Sequence, residues 1–380
     1  MIKEYDIAVV GKGVTATLLA SVLNKSGFEV VLLNHKPHVA PLVTKGGIRE
    51  YSINQFSKEI LWDNGVWRKL GNNIGSFSKI EAFDNYSEQH ISFENYNRKL
   101  EPLGYVVNEH LLASSVQSIA SNVESFSAEF QITCNDDSGN IFRLDGIGSI
   151  KTKVAILCDS GSRLVNNYFR PHLCFDYSEL AIVADVQTSA SHENIARQWF
   201  SNLGILALLP KTDKNKRSMI YSLDKKVASK LVADDGLKLE KIIGRITESS
   251  QGKIMIDGTL ESYPLYAGVA TSWEVGRLIL IGGAAHSFHP LAGQGLNVTV
   301  ADIACLAETL SSRGINKTSI SHYVKKRRRE SLKMLYFTDL IYKVFNVKNS
   351  TFAMMRGLGL KKLNKKSLLK ALFSKEASGY

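Results

Sequence analysis

YDIAVVGKGVTATLLASVLNKSGFEVVLLN, from Tyr5 to Asn34, is the stretch on which the fold turns. Ile7–Val10 reads as a buried β run, and it leads without a break into Gly11-x-Gly13-x-x-Ala16. Leu18, Leu19, Val22 and Leu23 then recur at helical spacing, Gly27 stops the helix, and Val30–Leu33 is a second β run. Strand, glycine turn, helix and strand in this order form the βαβ context that a dinucleotide-binding fingerprint requires. Gly11 makes the tight turn and Gly13 lets backbone approach a pyrophosphate. Val14, Thr15 and Ala16 form the first helical turn, whose N–H groups and positive end face the anion. Ala16, small like the usual third glycine, keeps the helix close to the strand.

The end of the second strand in such a unit carries an acid that accepts hydrogen bonds from the adenosine ribose. Here Asn34 stands there, followed by His35 and Lys36. Loss of the acid beside basic residues is also how such folds accept a 2′-phosphate. The first unit by itself therefore leaves a nicotinamide phosphate cofactor open.

A second glycine-rich stretch, LILIGGAAHSFHPLAGQGLNVTVADI, runs from Leu278 to Ile303. An apolar strand breaks at Gly282-Gly283, and a loop with Pro290, Gly293, Gln294 and Gly295 leads into a helix from Leu296. Glycines before a helix bring N–H groups to a ligand and aim the positive helix end at negative charge. His286 and His289 are spaced i,i+3 in this loop, but their apolar flanks argue for a structural or polar role rather than metal ligation.

The remaining sequence predicts an α/β (α+β) chain with a Rossmann-like domain, an antiparallel-sheet substrate domain and a helical C-terminus. Residues 1–75, 109–174 and 267–316 are assigned to the first domain, 76–108 and 175–266 to the substrate domain, and 317–380 to a basic helical region. Short alternating or β-branched runs mark the substrate lobe. The 380 residues include 44% hydrophobic and 22% charged side chains, ordinary for a globular protein. No apolar run reaches the ~18–20 residues of a membrane span. The start, MIKEYDIAVV, reads directly as a strand rather than a signal peptide, and four cysteines without C-x-x-C spacing predict a reduced, cytoplasmic setting with no structural metal. The net charge of +11 is concentrated: from Lys317 to Tyr380 there are 16 Lys and Arg against Glu330, Asp339 and Glu376. That predicts peripheral association with an anionic membrane surface or a membrane-bound complex. No aromatic-interleaved or groove-reading motif accompanies the charge, so nucleic acid is not expected.

Several ordered motifs together resemble the flavin-dependent aromatic hydroxylases of the p-hydroxybenzoate hydroxylase fold, and among them the ubiquinone-biosynthesis hydroxylases. They are Gly11-x-Gly13 in its βαβ unit, REYSINQFSKEILWDNGVW from Arg49, LGYVVNEHLL from Leu103, ILCDSGS from Ile156, CFDYSELAIVADV from Cys174, GILALLP from Gly204 and the Leu278–Ile303 stretch. The resemblance implies FAD lying extended across the first domain. Gly11 and Gly13 would meet its pyrophosphate, Arg49 and Asp159 would lie beside it, and Pro290, Gly293, Gln294, Gly295, Leu296 and Asn297 would border the ring. A second glycine-and-helix site near Gly295 suits a flavin ring better than a nicotinamide. The implied reaction reduces FAD with NAD(P)H, forms a flavin C4a-hydroperoxide from O₂ and hydroxylates a prenylated phenol. The cofactor carries that chemistry, so no catalytic side chain is required; His286, His289 and Pro290 are the flavin-face candidates. An apolar channel for the isoprenoid tail is expected along ILALLP and LAIVADV. Homo-oligomer formation is left open.

The departures from the family pattern fall on cofactor contacts. Asn34 replaces the ribose acid, and Gly283 replaces the aspartate that grips the ribityl chain. Asp159-Ser160 replaces Asp-Gly, Asn108-Glu109 reverses the usual Glu-Asn, and Ala301 stands where an arginine is frequent. Two lost carboxylate grips, at roughly 1.5–3 kcal/mol each, predict weakly bound FAD. The alternative to a monooxygenase is a flavin-poor pseudo-enzyme serving as a scaffold or lipid-binding subunit.

Overall fold

The computed structural model describes residues 2–35, 47–94, 101–169, 172–234, 236–347 and 349–364. Lys36 and the last residues of the basic tail, from 365 on, lie outside them. The first sheet has the strand order Glu274–Val275, Leu278–Leu280, Gly148–Leu157, Ile2–Val10, Val30–Asn34, Glu124–Ser127, with the hairpin Phe130–Asp136 and Gly139–Leu144 branching from Gly148–Leu157. Its central pairs are parallel: Ile7–Val10 lies against Val154–Leu157 on one side and Val30–Leu33 on the other. Ile7–Val10 is buried on both faces, as a parallel strand covered by helices must be. Leu18, Leu19 and Leu23 of the helix Val14–Lys25 pack over one face. Phe142, Leu164 and Trp273 belong to the core on the other.

The second sheet runs His286–Ser287, Ile254–Ala270, His172–Thr188, Lys216–Asp224, Gly204–Pro210, Ile195–Ser201, Lys79–Asp84, Gln89–Glu94. It is antiparallel except at one seam. Ile195–Ser201 pairs parallel with Lys79–Asp84, where two distant chain segments meet. Alternation within each segment could not reveal that direction.

Two strands of 17 residues, His172–Thr188 and Ile254–Ala270, belong to both cores. Ala267, Val269 and Ala270 pack with the first sheet, whereas Ile182, Ala184 and Val186 pack with the second. A bulge between Asp176 and Glu179, with Ser178 at φ 54°, marks the crossing. One face of each apolar run expected to line a tail channel is core instead. Ile182, Ala184, Val186, Leu206 and Leu208 are packed against Ala228, Leu231, Leu239 and Ile243 of the helices Lys225–Val232 and Leu237–Ile246. The alternation of the strand sends these side chains into a solid core.

A third sheet of three strands, Glu50–Asn54, Gly104–Asn108 and Gly75–Phe77, lies between the two. Gly75 admits the carbonyl of Pro210 so closely that any Cβ would stand 2.3 Å from it. The long helix Lys317–Asn346 spans the molecule: Tyr323 joins the first core, and Phe345 stacks on Phe200 of the second sheet at 3.9 Å. The last described helix, Ser350–Asn364, is fastened to the second sheet by Arg356, which makes a bidentate pair with Asp84 at 2.7 and 2.8 Å. Arg327 and Arg356 are thus internal, so part of the C-terminal basic count is not surface charge.

Candidate active site

The first glycine turn leaves a helix start open. Gly13 at φ 108° is the N-cap of Val14–Lys25, no side chain caps that helix, and its first turn holds no acid. A Cβ on Gly13 would meet nothing within 4 Å. Free N–H groups over open space are what a pyrophosphate needs. Gly11 is constrained differently. At φ 142°, its missing Cβ would lie 3.0 Å from the Asp159 carboxylate, which accepts the Lys12 N–H at 3.0 Å. Asp159 therefore fixes the shape of the turn. Burial pushes its carboxyl above the ordinary range, while Lys12 and His35 pull the other way. Ala16 is fully buried against the sheet and Thr15 lies beside Gly282.

Asn34 ends its strand with Oδ1 buried and lacking a partner among the described residues. An acceptor is thus retained where an acid is expected, with half the capacity and no charge. His35 stacks on Phe130 at 3.9 Å. Arg49 is half exposed, 4.0 Å from Glu109, and lies over the rings of Tyr51 and Tyr263. The Asn108-Glu109 reversal has a structural reason. Asn108 Oδ1 caps the helix Glu109–Ile119, accepting from the His110 and Leu111 N–H groups, and Glu109 takes the Tyr51 hydroxyl at 2.6 Å.

The second glycine stretch places another open helix start beside the strand Glu50–Asn54. Gln294 is the N-cap of Gly295–Arg313, without a side-chain cap or first-turn acid, and a Cβ at Gly295 would meet nothing within 4 Å. Gly293 at φ 60° lies against Ser52, 2.9 Å from where its Cβ would be. Asn297 is spent on holding the loop. Its Oδ1 accepts the Asn54 N–H at 3.0 Å, and its Nδ2 donates to Ser52 O at 3.0 Å and to Gln294 Oε1 at 3.2 Å. Leu296 packs at the edge of the first core, and Pro290 opens the short turn before Gly293.

The two histidines point to different partners. His286 donates to Asp302 at 2.6 Å, and Arg327 donates to the other oxygen of Asp302 at 2.6 Å. His289 is buried 3.5 Å from Glu179, whose second oxygen accepts the Tyr342 hydroxyl at 2.8 Å; Tyr177 closes the group edge-on at 4.9 Å. Both histidines brace the loop from behind. Glu179, Tyr342 and Arg327 lie far apart in the sequence, so no local spacing links them to the site. Among the described residues no cluster of His, Cys, Asp and Glu could hold a metal ion.

Gly282 and Gly283 differ. Gly282 is at φ 58°, and a Cβ there would strike Thr15 at 2.8 Å and Thr299 at 3.0 Å. Gly283 has ordinary backbone and a single neighbour, Cys158 O, at 3.7 Å. Only the first position requires glycine; at the second a side chain is simply missing.

A cavity of about 250 Å³ opens on the small third sheet, lined by Glu50, Asn73, Gly75, Val106, Asn108, Leu111, Lys211 and Thr212. Lys211 pairs with Glu50 at 2.9 Å and with Asp185 at 2.7 Å. The residues present fit an extended flavin dinucleotide at its pyrophosphate and ring ends, where two uncapped helix starts wait. At the sugars they offer the neutral Asn34 and no side chain at Gly283.

A sequence profile described as FAD binding domain matches residues 174–338. The ubiquinone hydroxylase UbiL of Rhodospirillum rubrum is 26% identical, over 99% of this chain and 90% of its own length. The human mitochondrial ubiquinone biosynthesis monooxygenase COQ6 is 27% identical, over 96% of this chain and 91% of its own. Among solved structures, p-nitrophenol 4-monooxygenase PnpA from Pseudomonas putida superposes with a TM-score of 0.77 at 16% identity, covering 98% of each chain. PqsL of Pseudomonas aeruginosa, described as a probable FAD-dependent monooxygenase, has a TM-score of 0.75 at 14% identity, covering 95% of this chain and all of its own. The fold is the one these flavin-dependent monooxygenases share, and nearly half of the chain matches an FAD-binding profile. In sequence, the similarity to the two ubiquinone-biosynthesis hydroxylases runs nearly from end to end.

Proposed function

We propose that this chain hydroxylates the aromatic ring of a prenylated phenol in ubiquinone biosynthesis, using FAD, NAD(P)H and O₂. The observation that carries the reading is the pair of uncapped helix starts at Gly13 and Gly295, one for each end of an extended flavin cofactor. FAD bound there and reduced by NAD(P)H supplies the oxygen chemistry. The chain's own work is binding and orientation. N–H groups at the start of Gly295–Arg313 stabilise negative charge at the ring end. Asn297 clamps the loop to Ser52 and Asn54, and Asp302 and Glu179 hold its histidines. Reconstitution with FAD should give a flavin absorbance spectrum and phenol-dependent NAD(P)H oxidation with a hydroxylated product. A protein that stays colourless in excess FAD refutes the reading.

The same protein is proposed to sit on an anionic membrane surface, where a polyprenylated substrate resides. No helix among the described residues is long and apolar enough to cross a membrane. Met354, Met355 and Leu358, at helical spacing on Ser350–Asn364, are 63%, 65% and 64% exposed, and Lys361 and Lys362 follow them. An apolar stripe with flanking lysines suits shallow insertion among acidic headgroups.

A further inference from the structure

The cavity lined by Glu50 and Lys211 has an unequal charge count once Asp185, the second partner of Lys211, is included. Two carboxylates, Glu50 and Asp185, close on the one ammonium of Lys211, and the Glu50 side chain is 3% exposed. Asn73, Asn108 and Thr212 add neutral polar groups, and Val106 and Leu111 add apolar wall. Strand pairing places this wall relative to the loop. Glu50 is opposite Asn108 and Ser52 is opposite Val106, so all four share one face of the small sheet. Ser52 is the residue that Gly293 touches. Two residues along a strand is about 7 Å, so the cavity lies within a ring's length of the loop.

We infer that this cavity receives the aromatic ring and sorts rings by charge, taking an uncharged ring with hydroxyl groups and rejecting one with a carboxylate. The inference rests on the proposed function and narrows its substrate class. An incoming carboxylate meets two carboxylates that share a single ammonium, so it adds a third anion to a group whose net charge is already negative. One of the three anions is then left uncompensated in a largely buried place. A ring hydroxyl faces no such conflict, because it can donate to Glu50 or accept the remaining Lys211 N–H. Burial pushes the Glu50 carboxyl up despite Lys211, so this wall already resists negative charge. About 250 Å³ admits one substituted ring and no long chain, so an isoprenoid tail must extend outside it.

The test is calorimetric titration of FAD-loaded and FAD-free protein with 4-methylphenol and with 4-hydroxybenzoate at neutral pH. The expected result is a preference of about tenfold or more for 4-methylphenol. Glu50→Gln and Asp185→Asn should each narrow that ratio, with thermal melts showing that the variants fold. Equal or tighter binding of 4-hydroxybenzoate overturns the inference. So does binding of neither ring, or an unchanged ratio in both folded variants. Selective ring binding without phenol-dependent NAD(P)H oxidation would instead refute the monooxygenase and leave the charge sorting in place.

Discussion

His286 donates to Asp302 across 2.6 Å with both side chains buried, and this bond ties the turn after Ile281 to the helix Gly295–Arg313. Arg327 closes on the other carboxylate oxygen, and Asp302 holds it charged against a burial that works the other way. Replacing Asp302 by Ala leaves a buried guanidinium without its anion, which costs about 3–5 kcal/mol. Asp302→Asn keeps the shape and one acceptor and should lose less. Urea unfolding would measure both, and wild-type midpoints for the Ala variant would show that the pair does not hold the loop.

The paired glycines predict opposite outcomes. Gly283→Asp restores a carboxylate where the backbone is ordinary and the nearest atom is 3.7 Å away. FAD affinity should rise roughly ten- to a hundredfold, from about 1.5–3 kcal/mol of added hydrogen bonding. Gly283→Ala should leave it unchanged. Gly282→Ala should destabilise the fold, because φ 58° and the Thr15 methyl both oppose a Cβ. Flavin fluorescence titration with the four proteins decides; no gain from Asp means that the sugar end is held in another way.

Asp159 should make FAD binding pH-dependent. Its folded carboxyl is raised above the ordinary value of 3.8, burial being the main cause. The folded state therefore binds this proton more tightly than the unfolded one, and ionisation costs stability as pH rises through the raised value. The same ionisation puts a negative charge beside the pyrophosphate turn. FAD should bind more tightly toward acid pH, and Asp159→Asn should flatten the dependence while keeping an acceptor for the Lys12 N–H. Parallel titrations from about pH 4 upward, starting at the ordinary carboxyl value, would show it; identical slopes in both proteins refute it.

Membrane attachment should depend on the outward face of Ser350–Asn364. Met354→Ser, Met355→Ser and Leu358→Ser together remove exposed apolar side chains without touching Arg356 or Asp84. Flotation with vesicles containing phosphatidylserine should fall several-fold, at about 0.8 kcal/mol per buried CH₂ lost, with thermal stability unchanged. Truncation before this helix is a poorer test, because it also removes the buried Arg356 that braces the second sheet. Undiminished flotation of the triple variant would reject the face.

The strand–glycine–helix–strand unit and the second glycine turn were legible because their signals are local. Buried strands, helical periodicity and the freedom of Gly11, Gly13 and Gly293 each need only a few neighbours in sequence. Burial alone could not be assigned a purpose: ILALLP reads equally as channel lining or as core, and the helices packed on Leu206 and Leu208 make one face of it core. The parallel seam at Ile195–Ser201 and the Glu50–Lys211–Asp185 group join segments far apart in the chain, so no spacing announces them. Sequence alone determined that this chain builds two open helix starts for a dinucleotide. The tertiary structure decided which of two adjacent glycines is obligatory, because that depends on Thr15 and Thr299 arriving beside Gly282 while the space at Gly283 stays free.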